Sequence, residues 1–428
     1  MKIVQYPKRT DWPQWLQRPA IDNSSLQEKV KAVMQEVKLN GDAAVKKFTQ
    51  QFDGVELADF AVSTQEISEA ASLLSDALKA AIQQAAANIR LFHTKQTTAV
   101  EVVETMPGVQ CWRKSIGIEK VGLYIPGGTA PLFSTILMLA IPAKIAGCKQ
   151  VVLCSPPGKD GKLHPAILYA ANITGITSVY KIGGVQAIAA MAYGTESVPQ
   201  VYKIFGPGNQ YVTCAKQLVQ QEGIAIDMPA GPSEVCVLAD ETAHPAFVAA
   251  DLLSQAEHGA DSQVLLVATS ATLVEQVQDE LAKQLAQLSR KELAAKALEN
   301  STAIVVQDLA EAIALVNEYA AEHLIISCKD ADQLADQIVN AGSVFLGNYS
   351  PESVGDYASG TNHTLPTNGF AKAYSGVSVD SFVKKVTYQK LSQQGLQQIA
   401  NTVVLMAEAE GLDAHANAVR VRAAYPKE

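Results

Sequence analysis

The chain is expected to be an α/β protein with two Rossmann-like parallel-sheet domains, a small N-terminal appendage and a helical C-terminal one. Three observations lead there. From about residue 120 onward, short β-branched apolar runs alternate with Ala-rich helical runs, the pattern of parallel strands covered by helices on both faces. These units fall into two blocks, about 120–232 and about 233–375. A chain of 428 residues is also too long for a single hydrophobic core, because domains rarely grow far beyond 100–200 residues.

Along the chain, residues 1–25 carry Trp12, Trp15, Pro7, Pro13 and Pro19 and read as an irregular arm anchored by its tryptophans. Residues 25–96 have a charged helical pattern with a break at Gly54. The first block opens at 120–125. Residues 150–154 read as a buried strand, followed by the turn Pro156-Pro157-Gly158 and a helix over 164–171. A strand at 179–182 ends in Gly183-Gly184 before a helix over 185–193, and a strand at 201–205 ends in Gly206-Pro207-Gly208-Asn209. The second block has strands at 235–238 and 264–267 around a helix over 245–257. Further strands follow at 304–306 and 324–326, separated by an Ala-rich helix. Beyond Asp380 the pattern is mainly helical. The organisation expected is an arm (1–25), a larger α/β domain (26–119 with 233–380), a second α/β domain (120–232) and a helical tail (381–428).

Composition narrows the function. Hydrophobic residues make up 48% and charged residues 18%, ample for a globular core. Forty-three acids against 34 bases give a net charge of -9, which disfavours nucleic acid and anionic membranes as partners and is compatible with a cationic small substrate. Six cysteines form no C-x-x-C pair and several sit in apolar runs, as buried reduced thiols do in a cytosolic protein. The N-terminus lacks an apolar signal core. No apolar run approaches the ~20 residues needed to span a bilayer; the longest, 136–146, contains Pro142 and Lys144. A soluble cytoplasmic protein is expected.

Three glycine-bearing loops follow strands of the first block: Tyr124-Ile125-Pro126-Gly127-Gly128-Thr129, Ile182-Gly183-Gly184-Val185-Gln186 and Phe205-Gly206-Pro207-Gly208-Asn209. Ligands of open α/β sheets bind at the carboxyl ends of the strands, where glycine lets backbone N–H groups approach a phosphate. None of the three matches the G-x-G-x-x-G dinucleotide fingerprint; after Gly206 and Gly208 the third place is Tyr211. Singly each suits an ordinary turn; together they leave a nucleotide or phosphate ligand as an equal alternative.

Of only seven histidines, four lie beside carboxylates or amides. Gln255 and His258, in Gln255-Ala256-Glu257-His258-Gly259, stand at i and i+3 on one helical face. Glu322-His323 precede a strand and, as neighbours at a strand edge, point to opposite sides without needing to touch. Asp356 and His363 share a loop rich in Gly, Ser and Asn. Glu410 and His415 flank Gly411 and leave a helix end together. Taken alone, each pair also suits a helix-end hydrogen-bond cluster, a capped loop or a solvated face. As a set they point to a divalent metal plus an acid/base pair assembled from distant segments. The mixed N/O donors admit zinc, manganese or cobalt. His93 lacks such surroundings, and His164 and His244 precede prolines as helix-start or surface residues do.

Tyr124-Ile125-Pro126-Gly127-Gly128, Phe205-Gly206-Pro207-Gly208-Asn209, Asp227-Met228-Pro229-Ala230-Gly231-Pro232-Ser233-Glu234, Ser254-Gln255-Ala256-Glu257-His258-Gly259, Glu322-His323-Leu324, Gly355-Asp356-Tyr357 through His363, and Glu410-Gly411-Leu412-Asp413-Ala414-His415 resemble histidinol dehydrogenase. Seven motifs in one order, from about residue 25 to about 420, make the resemblance specific. It implies the last steps of L-histidine biosynthesis: L-histidinol oxidised to L-histidine through an aldehyde-level intermediate, with two NAD reduced in succession. It implies one Zn2+ per subunit, bound by Gln255, His258, Asp356 and His415. It also implies a homodimer with shared active sites, whose C-terminal tails cross over so that His415 comes from the partner chain. Ser233, His323, His363 and Glu410 would contact substrate beside the metal ligands, and Tyr124, Gln186 and Asn209 would contact NAD. His323 would be the general base, and Glu322 would activate water. Two other classes remain from the residues alone. A zinc hydrolase leaves the glycine loops without a purpose, and a non-catalytic nucleotide-binding protein leaves the ligand-type side chains without one.

Overall fold

Residues 234–239 (Glu-Val-Cys-Val-Leu-Ala) are apolar at every position after the first, and all six are buried. Such a strand must be covered on both faces. The computed structural model, which describes residues 1–18, 24–127, 131–229 and 231–425, puts it inside a parallel six-stranded sheet. Edge to edge, the strands are Lys2–Gln5, Thr302–Val305, Gln263–Ala268, Glu234–Ala239, His323–Ser327 and Ser343–Leu346. The period-two alternation of side chains divides the strand between two cores. Val235, Val237 and Ala239 meet Val248 and Leu252 of helix Pro245–Ala256. Cys236 and Leu238 meet Trp12, Val316 and Tyr319 on the other face. Each fully buried valine or leucine contributes about 1.5–3 kcal/mol.

The second sheet has five parallel strands in the order Ser178–Lys181, Gln150–Ser155, Lys120–Tyr124, Lys203–Phe205, Ala225–Ile226. Both sheets are doubly wound: apart from the edge strand Lys2–Gln5, each begins mid-sheet, winds outward to one side, then crosses back to the other. The crossover points lie between Lys120–Tyr124 and Lys203–Phe205, and between Glu234–Ala239 and His323–Ser327. The two parallel-sheet blocks read from the sequence are both present.

Packing departs from the expected grouping of 26–119 with 233–380. Helix Ser24–Asp53 brings Val30, Met34, Val37 and Phe48 against Ile188, Met191 and Val219. Helix Asp76–Thr94 brings Ile82, Ala86 and Ile89 against Leu137, Ile141 and Leu168. Both helices cover the five-stranded sheet. The reason lies in helix Phe133–Ile145, where every residue from Ser134 to Ala143 is buried. A helix apolar all round needs an outer layer as well as a sheet beneath it. Helix Ser24–Asp53 ends before Gly54, as expected, and is also broken at Gly41, which has φ +50°.

Both appendages contain strand that the sequence reading did not anticipate. The N-terminal arm begins with Lys2–Gln5, paired to Thr302–Val305, and then buries Trp12; its residues 19–23 lie outside the described residues, as do Gly128, Thr129 and Ala230 of the motifs. The tail begins with strand Val383–Leu391, antiparallel to Val109–Gly117, which also pairs with Val102–Met106. Helices Gln393–Ala409 and Asp413–Ala423 follow. No residue of Val383–Leu391 is fully buried, so the strand carries no hydrophobic alternation to read. All six cysteines are free thiols, five of them buried, and no described helix is long and apolar enough to cross a membrane.

Phe382 ties this tail to the five-stranded sheet. It is fully buried and stacks on Phe205 with centroids 4.0 Å apart, while its carbonyl accepts from the Ile118 N–H at 2.8 Å. Phe382→Ala should destabilise the fold by about 3–5 kcal/mol through the cavity it leaves, read as a lower denaturation midpoint in urea. Unchanged stability would show that the tail is held elsewhere.

Candidate functional site

The site grows from the register of two strands. His323 lies opposite Val235, which brings residue 234 beside residues 322 and 323. The Glu234 N–H donates to Glu322 Oε2 at 2.9 Å, and His323 Nδ1 lies 3.2 Å from the Glu234 carbonyl oxygen. Both side chains therefore turn toward residue 234, and His323 Nδ1 comes within 3.7 Å of Glu322 Oε2. The expectation that they need not meet is corrected: a shared backbone partner outweighs strand alternation at the strand's first residue. Because Nδ1 faces a carbonyl, it carries the proton in the neutral ring and leaves Nε2 as the basic nitrogen. Nε2 lies 3.3 Å from Asp356 Oδ1.

Four carboxylates share this small volume. Glu322, Glu352 and Glu234 are 6%, 1% and 2% exposed, and Asp356 is the fourth. Burial pushes the Glu322 and Glu352 carboxyls well up. Burial alone would lower His323, but Glu322, Glu352 and Asp356 outweigh it and hold the imidazole well above its ordinary range. Burial opposes ionisation of Asp356, yet His323 holds its carboxyl low. Glu352 was not singled out from sequence. It follows Pro351 at the start of helix Glu352–Tyr357, where an acid reads simply as a partner of the helix dipole. In the fold it accepts from Ser254 Oγ at 2.9 Å and sits 4.0 Å from His323 Nδ1.

Helix Pro245–Ala256 runs antiparallel to the strands beside it, so its last turn arrives at the same edge. Gln255 is fully buried, its Nε2 is 3.5 Å from His258 Nδ1, and its Oε1 has no hydrogen-bond partner. Burial lowers the His258 pKa and favours the neutral ring. An unpaired buried amide oxygen costs about 1–3 kcal/mol. A cation beside it, shared with a neutral imidazole and the Asp356 carboxylate, would satisfy it, so these donors fit a metal. His415 and Glu410 are not brought to this place within one chain. Both are exposed on the terminal helical pair and share no hydrogen bond or ion pair with the other site residues. Accordingly, among the described residues, no three His, Cys, Asp or Glu side chains of one chain form a metal-holding group. His363 has both ring nitrogens engaged, Nδ1 at 2.9 Å from the Asp356 carbonyl and Nε2 at 2.9 Å from Thr135 Oγ1.

The other side of the site comes from the five-stranded sheet. After Phe205 the chain turns through Gly206, whose φ is +121° and where a Cβ would overlap the Tyr124 carbonyl oxygen. The Gly206 peptide is clamped: its N–H donates to Asp227 and its carbonyl accepts from Lys216, each at 2.8 Å, and Lys216 and Asp227 form a buried pair at 2.5 Å. Asn209 then caps helix Gln210–Gln221, accepting from the Tyr211 and Val212 N–H groups. A cleft of about 260 Å³ is lined jointly by Gly206, Asn209, Ser233, His258, Glu322 and His363. A larger cleft of about 1100 Å³ opens on the far side of Asn209, lined also by Tyr124, Gly127, Gly184 and Asp53. There the Tyr124 hydroxyl accepts from the Gly184 N–H at 3.1 Å. Gln186 sits behind the wall, fully buried, with Nε2 3.4 Å from Asp53 Oδ2 and Oε1 unpartnered; the open cleft fits a polar cofactor, but Gln186 does not line it.

The carboxyl ends of one sheet thus face the amino ends of the other. The rule that places ligands at carboxyl ends locates the glycine loops but not Glu322, His323 or Ser233, which stand at strand starts. The remaining histidines behave as structural groups. His164 Nδ1 accepts from the Ala166 N–H at a helix start, His244 opens helix Pro245–Ala256, and buried His93 lies 2.9 Å from the Ile89 carbonyl.

With this geometry in view, relatives give it a context. A family model described as histidinol dehydrogenase matches residues 16–423. Histidinol dehydrogenase of Bacteroides thetaiotaomicron is 59% identical over 422 residues, 99% of each chain. That of Yersinia pestis is 54% identical over 95% of this chain and 92% of its own. A crystal structure of histidinol dehydrogenase from Elizabethkingia anophelis, 54% identical, matches with a TM-score of 0.97 over 99% of this chain and 98% of that one. A family model over nearly the whole chain, relatives at 54–59% identity and a matching fold lead to one conclusion: the chain belongs to the histidinol dehydrogenase family.

Proposed function

We propose that the protein oxidises L-histidinol to L-histidine in the cytoplasm, through an aldehyde-level intermediate and with two successive reductions of NAD. The observation that carries this reading is the cleft in which Glu322, Ser233 and His258 face Gly206 and Asn209. Glu322 from one sheet there adjoins a cofactor-type loop from the other, with His323 buried beside Glu322.

His323 is the general base in its neutral form, which becomes accessible when Asp356, one of the carboxylates that hold the ring protonated, is engaged by a cation instead. Its Nδ1 is tied to the Glu234 carbonyl, so Nε2 takes the alcohol proton in the first oxidation, gives it up to bulk water, and then takes the hydroxyl proton of the aldehyde hydrate in the second. Glu322 activates water for attack on the aldehyde. One of its oxygens is held by the Glu234 N–H, and the other remains for the water. Ser233 and His363, with Glu410 of the partner subunit, contact substrate. Gln255, His258, Asp356 and His415 of the partner subunit hold a zinc ion, whose contribution when bound is to gather the substrate's nitrogens and orient the reacting carbon. Tyr124, Gln186 and Asn209 hold NAD, the hydride acceptor of both oxidations. The exposure of His415 and Glu410 in a single chain suits a homodimer whose tails complete each other's sites. The low exposure of Glu322, His323 and Glu352 excludes water that would otherwise carry the aldehyde away.

Two NADH should form per L-histidinol consumed, with activity lost on chelation and restored by zinc. One NADH with released aldehyde would remove the role given to Glu322. Glu322→Gln should slow aldehyde oxidation by about 10²–10⁴-fold, the usual weight of a general acid–base group, and spare alcohol oxidation in comparison. His323→Asn should slow both steps, and an unchanged first hydride transfer would refute its assignment. Mixing His415→Asn chains with His258→Asn chains should regenerate some active sites in verified mixed dimers, whereas no recovery would count against a shared site.

A further inference from the structure

Arg18 lies ahead of the first long helix, 216 residues from Glu234, yet its guanidinium grips that carboxylate with two bonds. Nε lies 2.5 Å from Oε1 and Nη2 lies 2.8 Å from Oε2. Nη2 also donates to the Tyr319 carbonyl at 2.8 Å, and the guanidinium stacks over the Tyr319 ring at 4.1 Å. Glu234 Oε1 takes a further bond from the Asn368 N–H at 2.8 Å. A bidentate fork fixes both oxygens of a carboxylate in one plane, which a lysine cannot do. Glu234 is 2% exposed and has no other cationic partner among the described residues, so loss of Arg18 would leave a buried charge uncompensated.

What distinguishes this ion pair from an ordinary structural one is the backbone of the residue it holds. The N–H of Glu234 is the hydrogen-bond donor to the Glu322 carboxylate, and its carbonyl oxygen faces His323 Nδ1. One residue therefore aims both proton-transfer groups, and Arg18 fixes that residue from the far side.

We propose that Arg18 and Glu234 are a positioning pair that sets Glu322 and His323 relative to one another, and so sets the balance between the alcohol and aldehyde oxidations. This rests on the roles given above to Glu322 and His323. The alcohol step needs His323 alone, while the aldehyde step needs both groups, so a loosened residue 234 penalises the second step more.

The test uses the full-length zinc-loaded protein. Arg18→Met, Arg18→Lys and Glu234→Gln are compared with the wild type, with Glu322→Gln and His323→Asn alongside. Alcohol oxidation and oxidation of supplied aldehyde are measured separately, together with KM and bound zinc. Zinc content and KM for L-histidinol should stay near wild type. Both rates should fall, the aldehyde rate by about tenfold more, in keeping with the rate penalty of sub-ångström misplacement. Arg18→Lys should recover little, because charge without the fork does not hold the plane. A partly unfolded sample loses both rates by one factor, so an equal fall in both, or no fall in either, overturns the proposal. If Arg18→Met does not fold, Arg18→Lys carries the same test. If Glu322→Gln shows no selective loss of aldehyde oxidation, the role of Glu322 fails first and takes the pair with it. If Glu322→Gln behaves as expected and the Arg18 variants do not, only the pair is refuted.

Discussion

The parallel pairing of Glu234–Ala239 with His323–Ser327 is the constraint on which the site depends. Its register sets residue 234 next to residues 322 and 323, and the backbone of one strand then orients the side chains that open the next. That pairing occurs at the crossover of a doubly wound sheet, where the chain reverses direction across the sheet and two neighbouring strands come from segments far apart in sequence. A slip of one residue would turn Val235 and Val237 out of their core and would also separate Glu322 from the Glu234 N–H. Core and site are thereby specified by the same hydrogen bonds.

The second requirement is electrostatic. Four buried carboxylates around one imidazole, with Arg18 as their cationic neighbour on one side, would be costly in an inert core. Each is held by a defined partner: Glu234 by Arg18 and the Asn368 N–H, Glu352 by Ser254, Glu322 by a backbone N–H, and Asp356 by its approach to His323. Three buried atoms of the cluster still lack a hydrogen-bond partner: Gln255 Oε1, Glu352 Oε2 and His323 Nε2. The donors left over are oxygen and imidazole nitrogen, a set suited to a divalent cation.

The five-stranded sheet contributes differently, through backbone shape rather than charge. Gly206 can pass against Tyr124 only because it has no Cβ, and the Lys216–Asp227 pair fixes its peptide at both ends. The loop that follows then borders two clefts at once, with Asn209 common to both. An outer layer of helices over this sheet comes from the N-terminal quarter of the chain because two of the sheet's own helices, Phe133–Ile145 and Gly184–Tyr193, are apolar nearly all round and need cover on their outer side.

The sequence by itself determined the α/β class, the two parallel blocks, the glycine loops and most side chains of the site. These are carried by local signals: apolar runs of strand length, glycine where the backbone must turn, and histidines beside carboxylates. Other features are invisible to such signals. An amphipathic helix at 24–53 does not state which sheet it will cover, and a strand such as Val383–Leu391 without a buried face has no alternation to betray it. Arg18 and Glu352 look like ordinary surface charges until the fold buries their partners. Tertiary structure alone decided that Glu322 and His323 converge, that the amino ends of one sheet face the carboxyl ends of the other, and that His415 lies away from Gln255 and His258 in a single chain. The physical reason is common to all of these: burial and hydrogen bonding depend on which distant segment arrives beside a residue, and no local pattern records that.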